Sequence, residues 1–279
     1  MTYFSSTQEF LESNSLVAKF AFLMLALIIF IFLLRTGINI IGWLMSPTGN
    51  IKLIDGMINA RHSEMFIQDP NHKKAKPVLR SINKSHGIEF TWSVWIFIDN
   101  LDENSDQYKH IFHKGNDKMN YTNAPVGLNE PNNGPGLYIT PNKNDLLVIM
   151  NTFEKIDEKI TVQDIPLNKW VNIIVRCENK TIDVYINGRI SNRHKASGVP
   201  FQNYGDVYVA LNGGFPGYIS NLWYWNKALN TSDIQSLVGS GPNMSMSDNK
   251  NLTHSSPQYL SLRWFFSNNE LNKSDYGGL

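Results

Sequence analysis

The sequence predicts an all-β sandwich of the jelly-roll type, preceded by a single transmembrane helix. Three observations predict this arrangement: a long apolar run near the N-terminus, a series of short alternating segments from residue 88 onward, and few helix signals behind them. The 279 residues include 25 basic and 24 acidic ones, a formal net charge of +1. Nucleic acid is therefore not an expected partner. The single cysteine, Cys177, excludes an internal disulfide framework and a Cys-based metal cluster.

The apolar run is the first predicted element. Phe20 to Leu34 are fifteen residues without a polar side chain. About 20 helical residues cross a bilayer core of roughly 30 Å. Leu16 to Leu34 meets that length if Lys19 extends to the interface. We expect residues 16–45 to anchor the chain in a bilayer behind a polar tail, residues 1–15; a cleaved signal peptide and a buried core helix are the alternatives.

The charge beside this run predicts its orientation. No Lys or Arg precedes residue 19, whereas Arg35, Lys52 and Arg61 follow the run. The positive-inside rule then places the C-terminal domain on the cytoplasmic face, or on the capsid-facing side of an internal viral membrane. Use of the glycosylation sequons at Asn120 and Asn179 would indicate the opposite side.

Residues 88–240 are expected to form the sandwich, after an irregular lead-in, residues 46–87. Segments that alternate in polarity or are rich in β-branched and aromatic residues predict its strands. In chain order these are residues 88–98, 109–113, 136–140, 146–152, 160–163, 170–177, 181–186, 206–212 and 218–225. Asn187-Gly188 is a strong hairpin-turn signal.

A short helix and a tail follow the strands. Ser232 and Gln235 have the spacing of a capping box and Gly239 is a typical helix stop, so a helix is predicted over residues 233–238. In the tail, residues 241–279, the apolar segment Tyr259–Phe266 should dock on the sheet.

Several segments, in a fixed order, resemble one family. Phe90–Trp95 resembles the opening strand of laminin G-like, concanavalin A-like jelly rolls. Asn168–Val175 with Ile182–Gly188 resembles their central hairpin, and Gly217–Leu229 their last core strand. The resemblance covers roughly residues 85–240 and implies a concanavalin A-like (laminin G-like) jelly-roll sandwich.

Two further implications follow from the resemblance. The family commonly has an acidic pair where this chain has Ser220 and Asn221, so a calcium role of that pair is not expected here. A single-pass anchor ahead of such a domain, in an Asn- and Ile-rich chain, is also similar to virion membrane proteins of large DNA viruses.

Because the fold family includes glycoside hydrolases, paired carboxylates need to be considered. A retaining glycosidase holds two carboxyl groups about 5 Å apart, here from alternating positions of one strand. The opening strand contains only Glu89 and the central hairpin only Asp183. We therefore expect no catalytic residues.

The sequence contains only weak indications of a metal site. His110 and His113 lie three apart on a predicted strand, so they should face opposite sides and not share an ion. Asp99, Asp102 and Asp106 offer oxygen ligands of the calcium type but lack the EF-hand pattern. A solvated acidic loop is the favoured interpretation, and calcium the sole cofactor considered.

Aromatic residues are the remaining candidates. Trp92, Trp95 and Trp170 fall on core strands and should pack there, whereas Trp223 to Trp225 alternate faces, so one aromatic should leave the core. Sugars stack on such rings while amides bind their hydroxyl groups. The predicted ligand site, with Tyr204 nearby, consists of Trp223, Trp225, Tyr208, Asn212 and Phe215. A protein-contact patch and an edge covered by the tail are the alternatives.

The predicted function combines these elements. We expect a non-enzymatic, single-pass membrane protein, held in the bilayer by Leu16 to Leu34, whose jelly roll contacts a protein partner, for example as a tether between a viral membrane and its capsid. A lectin-like carbohydrate-binding adhesin is the alternative, and a glycoside hydrolase is least favoured.

Overall fold

The structure is a computed structural model that describes residues 16–45, 49–84, 87–123, 125–131 and 133–247. The chain divides into two compact units, and the strands lie in the unit Thr48–Ser255. The predicted docking segment Tyr259–Phe266 lies outside the described residues.

The first helix, α1, spans Leu16–Met45. Leu16–Leu44 is long and apolar enough to cross a membrane by length and composition, a test that a signal sequence would also pass. Its large apolar side chains are exposed along the helix, from Leu16 at 84% to Trp43 at 78%. A helix of a soluble core would bury one face, so the core-helix alternative does not fit.

Fourteen strands make up the described part of the sandwich. They are β1 (Asn50–Lys52), β2 (Met57–Asn59), β3 (Glu64–Phe66), β4 (Ile82–Lys84), β5 (Gly87–Ile98), β6 (Lys109–Gly115), β7 (Gly136–Ile139), β8 (Leu146–Met150), β9 (Glu158–Val162), β10 (Trp170–Glu178), β11 (Thr181–Ile186), β12 (Arg189–Lys195), β13 (Asp206–Val209) and β14 (Gly217–Trp225). One sheet has eight strands in the order β1-β14-β5-β10-β11-β12, with β2 also beside β14 and β4 beside β5. The other has six, ordered β3-β13-β6-β7-β8-β9. All these pairings are antiparallel, which confirms the predicted sandwich.

The core lies between the inner faces of the two sheets. Along β5 every second residue, including Phe90, Trp92 and Val94, points into one large apolar cluster. The Trp92 ring is 1% exposed. Its centroid lies 5.2 Å from that of Phe112 in the six-stranded sheet and 4.8 Å from that of Tyr224 in its own sheet. This side chain therefore joins both layers.

The prediction of an irregular lead-in differs from the structure. Residues 46–87 contain β1, β2, β3 and β4, which extend both sheets. Three-residue strands are too short to show a period of two in the sequence, and their pairing with β14, β13 and β5 orders them. The sandwich thus begins well before residue 88.

The segment after β14 covers the outer face of the eight-stranded sheet. It contains the helix α2, Thr231–Gly239, whose N-cap is Asn230; Ser232, predicted as the cap, lies within the helix. Polar outer-face side chains bind this segment. Arg176 Nε donates to the Leu229 carbonyl at 2.7 Å, and Ser220 Oγ donates to the Asn243 carbonyl at 2.8 Å. The start of the tail is therefore attached to the sheet.

The predicted turn Asn187-Gly188 is present. Both residues have positive φ, 49° and 77°, as a type I′ turn requires. The turn leads into β12, Arg189–Lys195, which sequence analysis did not assign because six of its seven residues are polar. β12 is the terminal strand of its sheet, and such edges commonly carry charge.

A long connection covers the outer face of the six-stranded sheet. We call its described residues, 116–123, 125–131 and 133–135, the cover segment. Leu128 of this segment packs in a second buried cluster with Tyr138 of β7 and with Leu147 and Ile149 of β8. Those residues alternate with the ones that face the main core, so this face of the sheet is also buried along β7 and β8.

Candidate functional site

A groove of about 410 Å³ opens where the cover segment meets the chain before β13. The cover segment contributes Asn116 and Pro131, the turn after β8 contributes Asn151 and Ile156, and residues 201–205 form the opposite wall. We call this the Tyr204 groove. Its lining has no charged side chain and is mainly apolar.

Exposed aromatic rings lie in and beside one wall of the groove. The Tyr204 side chain is 71% exposed and Phe201 39%. Phe153 is 67% exposed, and its ring centroid lies 3.9 Å from that of Phe201. Large rings are usually buried, so exposed rings at a concave site indicate a contact surface.

Three amide side chains supply the polar part of the groove. The Gln202 Oε1 atom accepts hydrogen bonds from the backbone N–H and the hydroxyl of Ser81. The Asn203 Oδ1 atom accepts from the Gly205 N–H at 2.8 Å. The Asn116 Oδ1 atom lies 3.5 Å from Asn129 Nδ2. Within the described residues, the amide nitrogens of Gln202, Asn203 and Asn116 donate no hydrogen bond and can serve a ligand.

A buried amide holds the walls of the groove in place. Asn151 is 6% exposed, and its Nδ2 donates to the Pro131 carbonyl at 2.6 Å and to the Ile156 carbonyl. Its Oδ1 accepts from the Asn133 N–H at 2.5 Å. One side chain thus ties the cover segment to the β8–β9 turn, which preorganises the groove.

The two histidines of β6 face the same side, so the prediction that they face opposite sides was wrong. A register shift between His110 and Phe112 adds a residue to this strand and breaks its alternation. His110 Nε2 lies 2.7 Å from His113 Nδ1, and His113 Nε2 lies 3.0 Å from the Asn116 carbonyl. Burial lowers the pKa of His113 to about 4 and that of His110 well below its usual value. The ring nitrogens are engaged in these hydrogen bonds.

Trp223 and Trp225 leave the core, as predicted, but they do not form an open platform. Their rings stack at 5.3 Å with an interplanar angle of 11°. The ammonium group of Lys52 lies 4.7 Å from the Trp223 ring centroid, and Trp225 packs against the cluster that α2 forms with the sheet. One face of each ring is therefore covered by the other ring, and Trp225 also borders a cavity beside α2.

The other predicted ligand residues do not join these tryptophans. Tyr208 is in the six-stranded sheet, where its ring stacks on His113 at 5.0 Å. Asn212 donates from Nδ2 to Gln107 Oε1 at 3.2 Å, and Phe215 is 1% exposed in the main core. The predicted five-residue site is therefore dispersed over two sheets. Tyr204, predicted only as a neighbour, lies at the groove.

The predicted calcium loop has other contacts. The Asp99 N–H donates to the Pro216 carbonyl, and Arg61 pairs with Glu103 of the same loop. In the part of the chain that the structure describes, no three His, Cys, Asp or Glu side chains come together as a metal site, Asp99, Asp102 and Asp106 included. Calcium binding there stays a prediction without an assembled set of ligands.

The carboxylates of the sandwich are engaged in ion pairs. Asp183, 0% exposed, accepts from Arg193 Nε at 2.7 Å and lies 3.3 Å from Arg176 NH1. Glu178 binds the guanidinium of Arg176 at 2.6 Å, so the two carboxylates are neighbours that Arg176 ties together, and neither is left free to act as an acid or a nucleophile.

One constellation has the residue types of a hydrolase triad. Glu158 Oε1 lies 2.7 Å from His194 Nε2, and Glu158 Oε2 accepts from the Ser197 hydroxyl at 2.8 Å. Burial opposes the charge of Glu158, yet these two hydrogen bonds lower its pKa. The carboxylate lies between the other two groups, so no imidazole faces the hydroxyl as a base. The arrangement is structural.

Sequence reasoning missed Phe153, Phe201, Gln202 and Asn203. A signal was present: residues 200–204 read Pro-Phe-Gln-Asn-Tyr, two aromatic and two amide residues in a predicted loop. Aromatic residues in a loop have no sheet core to enter, whereas those of a strand do. The predicted ligand residues lay mainly on strands instead.

Comparison with known proteins supports the fold. Residues 76–235 match the family model of the concanavalin A-like lectin/glucanases superfamily. No curated protein matches the chain. Among solved structures, the receptor-binding domain of botulinum neurotoxin D is 13% identical at a TM-score of 0.44 and covers 68% of this chain and 52% of its own. The receptor-binding domain of the botulinum neurotoxin C/D mosaic serotype is 14% identical at a TM-score of 0.42. The match covers 55% of this chain and 36% of that domain. This chain thus spans about a third to a half of those domains.

Proposed function

The chain belongs to the concanavalin A-like lectin/glucanase superfamily, and on that premise we propose that it is a membrane-anchored, non-enzymatic binding protein that recognises a carbohydrate through the Tyr204 groove. The observation that carries this proposal is the pairing of an exposed ring with amide donors that have no partner in the described residues. The arginine ion pairs of Asp183 and Glu178 favour binding over hydrolysis.

The chemistry of the groove suits a neutral sugar. The C–H face of a pyranose can lie against the Tyr204 ring, while the amide nitrogens of Asn203 and Gln202 donate to hydroxyl oxygens. A charged ligand would lose hydration without gaining an ion pair, because the groove lining has no charged side chain. We therefore expect neutral glycans to be preferred over sialylated or sulfated ones.

Tyr204→Ala should weaken glycan binding by roughly two- to tenfold, since a stacked ring contributes about 0.5–1.5 kcal/mol beyond its buried area. A glycan array, followed by calorimetry on the strongest glycan, measures this. The control is Trp223→Ala, which should bind normally because its ring lies outside the groove. Equal loss in both variants, or none in Tyr204→Ala, would contradict the proposal, and so would turnover of the bound glycan.

A protein partner is the second candidate, favoured by the apolar side chains beside the groove. Phe153 is 67% exposed and does not line the groove, whereas aromatic residues are enriched at the centre of protein interfaces. Phe153→Asp should leave glycan binding intact if the sugar is the ligand. If Phe153→Asp instead abolishes capture of a protein that the unaltered chain binds, the protein interface is the functional one.

We propose that α1 anchors the domain in a membrane; a glycan ligand requires the sandwich on the extracellular or luminal side, and a protein partner allows the cytoplasmic side. The flanking charge supports the cytoplasmic side, and the virion location rests on the sequence resemblance alone. Asn230 begins the sequon Asn230-Thr231-Ser232 and is a sharper reporter of the membrane side than Asn179. Asn230 is exposed at the start of α2, whereas Asn179 has positive φ in the β10–β11 turn and a buried Oδ1. With a protein partner on the cytoplasmic side, Asn120 and Asn230 should stay unglycosylated in eukaryotic cells; a glycan at Asn230 would place the domain in the lumen, as carbohydrate recognition requires.

A further inference from the structure

The buried histidine pair belongs to a chain of hydrogen bonds that ends at the groove. The Leu211 N–H donates to His110 Nδ1 at 2.9 Å, and His110 Nε2 faces His113 Nδ1 at 2.7 Å. His113 Nε2 faces the carbonyl of Asn116 at 3.0 Å, and Asn116 lines the Tyr204 groove. The pair is therefore attached directly to a groove wall.

This series of hydrogen bonds allows only one arrangement of hydrogens on the two neutral rings. Because Leu211 can only donate, His110 Nδ1 must be bare and His110 Nε2 must carry the hydrogen of the neutral ring. That hydrogen occupies the contact with His113 Nδ1, so the His113 hydrogen is on Nε2 and reaches the Asn116 carbonyl. Every contact then holds one hydrogen. An added proton would set two N–H groups against each other, wherever it is placed.

The surroundings offer little compensation for a positive charge. His110 is fully buried and His113 equally so, and Tyr138 of β7 and Tyr208 of β13 pack against their rings. Asp117 of the cover segment is the carboxylate whose charge acts on His113. On β6 itself, Lys109 and Lys114 donate to the carbonyls of Asn104 and Gly205 and add positive charge nearby. The pair is stable in its neutral form.

We propose that His110 and His113 form an acid-operated latch, whose protonation releases Asn116 and the cover segment and thereby opens the Tyr204 groove and discharges its ligand. The discharge of a ligand rests on the proposed function, whereas the latch itself does not. Asn116 loses its hydrogen bond when the His113 ring leaves its position, and the same segment carries Pro131, a second groove residue.

The direction of the pH dependence follows from linkage. Burial lowers the pKa of His113 from 6.5 to about 4, so the opened form binds a proton more readily than the latched form between these values. The latched form is therefore fully favoured above about pH 6.5 and loses its advantage as the pH falls toward about 4. One coupled proton changes the opening equilibrium by up to about tenfold per pH unit.

Hydrogen exchange of the full chain in detergent, without any ligand, tests the latch. The N–H groups of Asn133 and Gly134 donate from the cover segment to Asn151 Oδ1 and to the Lys114 carbonyl, outside the segment, so they report its release. Corrected for intrinsic exchange, their protection should fall by up to about tenfold per pH unit below about pH 6.5. The backbone amides of the β10–β11 hairpin should keep their protection over the same pH range. Constant protection in the cover segment, or equal loss in both regions, would overturn the latch.

A variant pair and a spectroscopic measurement complete the test. His113→Gln should remove the pH dependence of cover-segment protection, and His194→Gln, which alters a histidine outside the chain of hydrogen bonds, should retain it. NMR of labelled histidines should show both rings as neutral Nε2–H tautomers at about pH 7.5. An Nδ1–H tautomer at either ring, or an unchanged slope in His113→Gln, would refute the mechanism.

A second experiment, on immobilised glycans, distinguishes a failure of the latch from a failure of the proposed function. Neutral glycans immobilised on the array should retain the protein at about pH 7 and release it at about pH 4.5. No retention at neutral pH would contradict carbohydrate recognition but not the latch, which exchange measures independently. Retention at both pH values, together with an opened cover segment, would refute the discharge of the ligand.

Discussion

Replacing Trp92 by alanine should lower the free energy of unfolding by about 4 kcal/mol, the largest effect expected for a single side chain of this protein. The ring is 1% exposed and contacts Phe112 and Tyr224, so its removal leaves a cavity between the two sheets that neither sheet can close. Urea unfolding followed by far-UV circular dichroism measures the loss.

The matched control for this variant is Trp223→Ala. Trp223 is half-buried on the outer face, where its ring stacks on Trp225 and under Lys52, so its removal should cost only about 1 kcal/mol. Equal losses for the two variants would mean that the two tryptophans are not in the environments described.

Asp183→Ala should lower the free energy of unfolding by about 3 kcal/mol, the second largest effect. The carboxylate is fully buried and binds Arg176 and Arg193, and its loss leaves the half-buried guanidinium of Arg176 with one fewer partner. Arg193 is 61% exposed and can return to water, which places the effect at the low end for a broken buried pair.

Asp157→Ala is the control for the buried ion pair. Its carboxylate lies 3.7 Å from Lys159 with both side chains about half exposed, so the change should cost less than about 0.5 kcal/mol. A similar loss for the two variants in the same urea titration would show that Asp183 is not desolvated.

The strands of the sandwich could be predicted because a sheet imposes an alternation that its own sequence shows. β5 and β10 each carry a period-two pattern of apolar and polar residues. Asn-Gly is the residue pair that a type I′ turn favours, so Asn187-Gly188 predicted the backbone conformation of its turn. Strands β1 to β4 have three residues each, and their position depends on the partner strand. No local pattern could reveal them.

The groove could not be predicted, because three distant segments build it. Asn116, Asn151 and Asn203 come together only when the cover segment crosses the six-stranded sheet. The histidine pair shows the same difficulty on a smaller scale. A single extra residue in β6 reverses the facing of His110 relative to His113, and nothing in the sequence marks that bulge.

One NMR titration tests the central claim most directly, because side-chain amide and indole N–H signals appear in the same spectrum. With the strongest neutral glycan of the array added at about pH 7, the side-chain amide signals of Asn116, Gln202 and Asn203 should shift. The indole signals of Trp223 and Trp225 should stay in place, since both rings lie outside the groove. Shifts at the indoles with unchanged amides would move the binding site to the eight-stranded sheet and contradict the account.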